Sequence, residues 1–201
     1  MTNYSLLSFG SVALLLTVFC CIPLTAQYQR LEKAVVEKGG INAAQFEEIL
    51  MYCDDLSVRT GYPMPALVGM AVEETGYFTS RLCREGNNLF GIMALRDWEG
   101  KPKIWQSHSV YNKRLGQFEK KAMPFRSYGS YGESIYDLAI FLAHPRYAAL
   151  RKTTNARDFL YAVSDAGYAE DGSYANKIIG LLERYNLLNA EFKVYNASTR
   201  K

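Results

Sequence analysis

Pro65-Ala66-Leu67-Val68-Gly69-Met70-Ala71-Val72-Glu73-Glu74-Thr75-Gly76, followed by Asn87-Asn88-Leu89-Phe90-Gly91, is the stretch on which the reading of this chain turns. A proline at its start and a glycine at its end are the usual punctuation of a helix, because proline is pre-set for the first turn and glycine for the left-handed residue after the last. The segment is apolar until two adjacent acids close it, and geometry separates those acids. With a turn of about 100° per residue, Leu67, Met70 and Ala71 all fall within about 60° of Glu74, whereas Glu73 lies about 100° away. Glu74 therefore faces the core or a cleft, and Glu73 faces water.

Three influences then act on Glu74. Partial burial disfavours its charged form. The C-terminal end of a helix presents negative partial charge, and Glu73 adds a like charge. All three raise the pKa, as a general acid working near neutrality requires. The plain alternative is a structural carboxylate bonded to an amide or an arginine, since structural networks also perturb carboxylates. The loop that follows supplies amide groups from Asn87 and Asn88, an apolar plug from Leu89 and Phe90, and a flexible Gly91.

Outward from this centre the pattern is mostly helical. Residues 28–38 fit a short helix stopped by Gly39-Gly40. Asn42 caps a second, with Gln45 as its capping-box partner and Phe46, Ile49, Leu50, Cys53 and Leu56 at helical spacing. Residues 92–126 mix glycine, proline, tryptophan and β-formers, and fit a small β-hairpin or irregular lobe. Ser130 and Glu133 predict a capping box for a helix ended at Pro145. Asn155 and Asp158 cap another that ends at Gly167, and a last helix begins near Ser173. The fold class is α+β, mostly helical, with one small β-lobe.

Residues 1–26 contain no Lys, Arg, Asp or Glu and carry a short apolar run before Leu24-Thr25-Ala26. This is the plan of a secretory signal peptide cleaved after Ala26, and it predicts export to the periplasm or cell envelope. The run is shorter than the roughly 20 apolar residues of a membrane span. Lipid attachment at Cys20 or Cys21 is a further alternative, set against the bulky Val18 and Phe19 before them. Residues 27–189 then form one domain, and residues 190–201 a polar tail. Cys53 and Cys83 remain, as a pair or as two separate thiols. The net charge of +3 is too small to argue for nucleic acid. Fifteen tyrosines suit carbohydrate faces and a plain core alike. No ligand spacing for a metal and no phosphate-binding loop is present, so no cofactor is expected.

The ordered motifs resemble the glucosaminidase family of bacterial cell-wall hydrolases. The family's Glu-Ser/Thr-Gly-aromatic helix end is Glu74-Thr75-Gly76-Tyr77, and its Asn-Asn-Leu-Phe-Gly-Ile loop is Asn87 to Ile92. Its Phe-Arg-x-Tyr segment is Phe125 to Tyr128, its Ser-Ile-x-Asp helix is Ser134 to Asp137, and its Gly-Tyr-Ala-x-Asp-x-x-Tyr segment is Gly167 to Tyr174. The resemblance implies a lysozyme-like helical core and cleavage of β-1,4 bonds after N-acetylglucosamine in peptidoglycan strands. It puts Glu74 in the general-acid place and Tyr168 beside the reacting sugar, as a catalytic or a rim residue. Asn88, Phe90, Gly91, Arg126 and Tyr128 would bind substrate by shaping the cleft, and Asp137, counted with them, matches a helix aspartate that orients other groups.

The chain departs from the family in one place. Many members carry a second glutamate in the β-lobe, where this sequence reads Gln106-Ser107-His108-Ser109-Val110-Tyr111. An inverting hydrolase needs that second carboxylate to activate water. Help from the substrate's own N-acetyl group, a displaced acid such as Asp97, Glu99 or Glu119, lytic transglycosylase chemistry, and a binding module without turnover all stay open. Trp98 and Trp105 fit sugar stacking or packing of the lobe; His108 fits a base or, more plainly, an exposed strand histidine without a role, and His144 reads as plainly.

Overall fold

The computed structural model describes residues 24–112 and 114–189; the expected leader, as far as residue 23, and the polar tail lie outside them. Helix α1 (Leu24–Lys38) stops at Gly39, whose φ of 74° suits only glycine without strain. Helix α2 (Ala43–Thr60) starts on the predicted capping box: Gln45 N donates to Asn42 Oδ1 at 2.9 Å, and Asn42 N to Gln45 Oε1 at 3.0 Å. Its predicted stripe, Phe46, Ile49, Leu50, Cys53 and Leu56, is the buried face.

Helix α3 (Met64–Thr75) has Pro65 in its first turn and Gly76 as its left-handed cap. It differs from the one-sided stripe of the helical-wheel reading, because every residue from Met64 to Val72 is buried. Helices α2, α6 (Ala156–Asp165) and α7 (Tyr174–Arg184) pack around it. A Cβ on Gly69 would lie 2.6 Å from Ile178 Cγ2, so this glycine is what lets α7 approach the central helix.

A short helix that the sequence does not announce, α4 (Arg81–Gly86), follows, capped by the Ser80 hydroxyl accepting from Cys83 N at 3.2 Å. A 3-10 turn at Arg96–Trp98 leads into the β-lobe, an antiparallel hairpin of β1 (Lys103–Asn112) and β2 (Gln117–Arg126). Its register runs from Lys103 opposite Arg126 to Asn112 opposite Gln117, and Met93 bridges to Phe125 at its base.

Helix α5 (Tyr131–Leu142) packs on α2. Ser130 Oγ accepts from Glu133 N as predicted, but the Glu133 carboxylate takes the N–H of Gly129 rather than that of Ser130. The chain then forms an unforeseen 3-10 helix, Pro145–Lys152, in which His144 Nδ1 caps Arg146 N at 3.3 Å. Cys53 and Cys83 are separate buried thiols, and burial pushes the Cys83 thiol up to about 12. Among the described residues, no helix is long and apolar enough to cross a membrane.

Candidate active site

Glu74 sits at the last full turn of α3, and the chain leaves it abruptly. Gly76, Tyr77 and Phe78 have φ of 58°, 61° and 63°, three left-handed residues in succession. For the two that carry side chains this conformation costs about 1–2 kcal/mol each. Thr75 holds the turn: its hydroxyl donates to Ala71 O at 2.6 Å and accepts from Phe78 N at 2.8 Å. Phe78 is fully buried, edge-on to Phe46 with ring centroids 6.0 Å apart.

The Asn87–Ile92 loop is wound around one amide. Asn88 is 1% exposed; its Nδ2 donates to Ile92 O at 3.1 Å and Arg126 O at 2.9 Å, and its Oδ1 accepts from Phe90 N and Ile92 N. Leu89 N donates to Ser134 Oγ of α5 at 3.1 Å, and Asn87 Nδ2 to Tyr128 O at 3.0 Å. Tyr168 Oη donates to Phe90 O at 3.0 Å. So fixed, the loop brings Gly91 (φ 62°) against Glu74: a Cβ there would stand 3.5 Å from Oε2.

The Glu74 carboxyl is half-buried, and burial is the main cause that raises its pKa from 4.5 to about 7, with Glu73 adding a smaller push. The Tyr174 hydroxyl pulls the other way, although it is buried and makes no hydrogen bond of ordinary geometry. Tyr174 is not among the residues the sequence singles out, yet it ends the Gly167–Tyr174 segment. Tyr168 stacks at 5.5 Å on Tyr174 and edge-on at 5.9 Å to Phe141. Burial first, then the Glu74 charge, holds the Tyr168 phenol well above its usual range, so it stays protonated at neutral pH.

Beside this centre, a second network ties the hairpin to α5. Arg126 Nη1 donates to both oxygens of Asp137 at 3.0 and 2.8 Å, Nη2 pairs with Asp97, and Nε donates to Met93 O. Tyr128 Oη donates to Asp137 Oδ2 at 2.7 Å. Trp98 packs 4.8 Å from the Arg126 guanidinium and edge-on to Tyr128, so its part is lobe packing, whereas Trp105 is 56% exposed.

The structure therefore gathers Glu74, Gly91, Phe90 and Tyr168 at one place, and gives Asn88, Arg126, Tyr128 and Asp137 the frame around it. Of the acids near the β-lobe, Asp97 is held by Arg126, and Glu119 lies on β2 opposite Val110 with Lys121 Nζ at 3.4 Å. A hydrogen bond to Asn112 is the first cause holding Glu119 below its ordinary pKa. Chemically, the centre offers one carboxyl whose pKa burial raises to about 7, with Gly91 facing it.

Comparison with known proteins agrees with this reading of the fold. Residues 51–187 match the glucosaminidase family model, described as mannosyl-glycoprotein endo-beta-N-acetylglucosaminidase. The peptidoglycan hydrolase FlgJ of Salmonella typhimurium is 30% identical over 148 residues, 71% of this chain and 46% of that protein. FlgJ of Vibrio cholerae is 34% identical over 143 residues, 69% and 42% respectively, so the chain spans less than half the length of these relatives. Among solved structures, a mutant peptidoglycan hydrolase from Sphingomonas sp. A1 superposes with a TM-score of 0.55 at 30% identity, over 69% of this chain and 88% of that one. The chain belongs to the glucosaminidase family.

Proposed function

We propose that this chain is an exported endo-β-N-acetylglucosaminidase that hydrolyses β-1,4 bonds in peptidoglycan glycan strands, with Glu74 as the general acid. The observation that carries the reading is a carboxyl raised to about 7 by burial and faced by Gly91, whose position leaves room for about one carbon beside it. Such a group still holds its proton near neutrality and can deliver it to a glycosidic oxygen as the bond breaks. Tyr168, kept protonated, pins the Phe90 carbonyl and so positions the loop that confines the acid. The charge-free leader over residues 1–26 supports export, and the net charge of +3 favours approach to an anionic wall polymer.

The test compares native protein with Glu74→Gln on purified sacculi, by zymography and by mass spectrometry of the released ends. Reducing N-acetylglucosamine ends from the native protein alone are expected. Equal clearing by the variant would remove Glu74 from the chemistry, and binding of sacculi without lysis by either form would indicate a binding module.

One observation favours a second reading. Of the three acids near the family's second-glutamate place, Asp97 is engaged with Arg126 and Glu119 with Lys121, and Glu99 stands exposed at the end of the 3-10 turn rather than on a strand. A single-carboxylate enzyme suits that arrangement, and lytic transglycosylase cleavage would show itself by anhydro-muramic ends in the same spectra.

A further inference from the structure

A groove of about 400 Å³ runs between the end of α3 and the outer face of α7, lined by Glu73, Tyr77, Asn176, Lys177, Gly180, Leu181 and Arg184. That volume lies within the range of ligand pockets, about 300–1,000 Å³. Residues 177, 180, 181 and 184 recur at helical spacing and so form one stripe of α7, facing Glu73 and Tyr77 across the groove. Glu73 is the chain neighbour of Glu74 and lines this open groove, so the groove begins one residue along α3 from the candidate acid, on an adjacent face of that helix.

Gly180 is the feature that needs a reason. It sits inside α7, where glycine costs about 1 kcal/mol relative to alanine. An added Cβ would meet nothing within 4 Å, so no neighbouring helix requires its absence, in contrast to Gly69. What the missing side chain preserves is the open floor of the groove.

The lining has mixed chemistry. Asn176 Oδ1 accepts from Tyr161 Oη at 2.9 Å, so the end not held by Tyr161 is the amide donor. Lys177, paired to Asp171 at 2.6 Å, and Arg184 add cations on the same side. Glu73 supplies an acceptor for an amine across from them, and the Tyr77 ring and Leu181 supply apolar surface between.

We infer that this groove is a subsite for the peptide branch of the substrate, a short peptide that carries both carboxylates and a free amine. The inference rests on the peptidoglycan reading above and extends it from the glycan to the peptide. The Asn176 amide and Arg184 take the carboxylates, Glu73 takes the amine, and the floor at Gly180 admits the peptide backbone.

Two measurements on the full chain test it. The first compares kcat/KM on peptide-bearing strands with kcat/KM on strands stripped of peptide by an amidase. A ratio of about ten is expected, the weight of one good charge-assisted contact, and Gly180→Leu and Arg184→Glu should each bring it toward one. Gly180→Leu replaces glycine at an exposed helical position, so its melting temperature should not fall, and a loss of preference then reports on the groove. The second is an NMR titration of native protein with the peptides released by that amidase. Saturable shifts of the Gly180 and Arg184 amides are expected, absent in Arg184→Glu. A native ratio of one, or unmoved amides, overturns the inference while leaving the glucosaminidase reading intact. Failure of the native protein to cut either strand overturns that reading instead, and the titration still decides whether the groove holds peptide.

Discussion

A methyl group placed on Gly91 would stand 3.5 Å from Glu74 Oε2, an ordinary van der Waals contact, so the Asn87–Ile92 loop leaves room for about one carbon beside the acid. That loop is pinned from three sides, by the Asn88 amide, by Ser134 and by Tyr168. Gly91→Ala tests the contact. At φ 62° alanine costs about 1–2 kcal/mol, and relief of that strain would move the loop that lies beside the carboxyl. Thermal unfolding should show a loss of about that size, and turnover on sacculi should fall by about tenfold or more, since small displacements at a reacting group are costly.

The raised pKa of Glu74 has two consequences of opposite value. As a general acid it must hold its proton, so kcat/KM should fall as pH rises through about 7. For stability, the folded chain binds this proton more tightly than the unfolded chain, whose carboxyl keeps its ordinary value of 4.5. The contribution is complete below pH 4.5 and is lost as pH rises to about 7. Because a tenfold change in proton affinity is worth about 1.4 kcal/mol, the loss is on the order of 3 kcal/mol. Glu74→Gln should therefore be the more stable protein at pH 8 and the inactive one at every pH, as denaturant titrations and rate profiles of the two forms would show.

The helices were legible where local signals agree. The Asn42–Gln45 box, the Phe46-to-Leu56 stripe and the Pro65–Gly76 limits each fix one element from nearby residues alone. The inward turn of Glu74 was legible for the same reason. Helix α4 was not, because six residues show too little periodicity. Glu73 faces solvent as its wheel position implies, but that it does so across a groove from α7 depends on tertiary packing. The partners of Arg126 come from the 3-10 turn at Asp97 and from α5 at Asp137, and Tyr174 lies near Glu74 across about half of the chain. No local rule encodes such pairings.

Arg126 and Asp137 carry the attachment of the β-lobe. Both side chains are largely buried, and the pair is doubled by two hydrogen bonds to one guanidinium nitrogen and by Tyr128. Removing one member leaves the other charge buried and poorly compensated, which typically costs 3–5 kcal/mol, so about 3 kcal/mol is expected for Asp137→Leu. Arg126→Lys should recover only part of the native stability, because lysine cannot reach Asp97, Asp137 and Met93 O together. Hydrogen exchange should show β1 and β2 losing protection in both variants before the helices do.

The turn after Glu74 depends on one hydroxyl. Thr75 Oγ1 closes the last turn of α3 through Ala71 O and takes the buried Phe78 N–H, and it thereby secures the left-handed run at Gly76, Tyr77 and Phe78. Thr75→Val keeps the shape and the β-branch but leaves that N–H without a partner, a loss of about 1–3 kcal/mol. Thr75→Ser keeps the oxygen and should retain most of the stability despite the missing methyl. If the two variants unfold at the same denaturant concentration, packing of the methyl rather than the hydroxyl holds the turn. Separate midpoints, with valine the lower, assign the turn to the hydrogen bond, and turnover should follow the same order because the turn fixes the backbone next to Glu74.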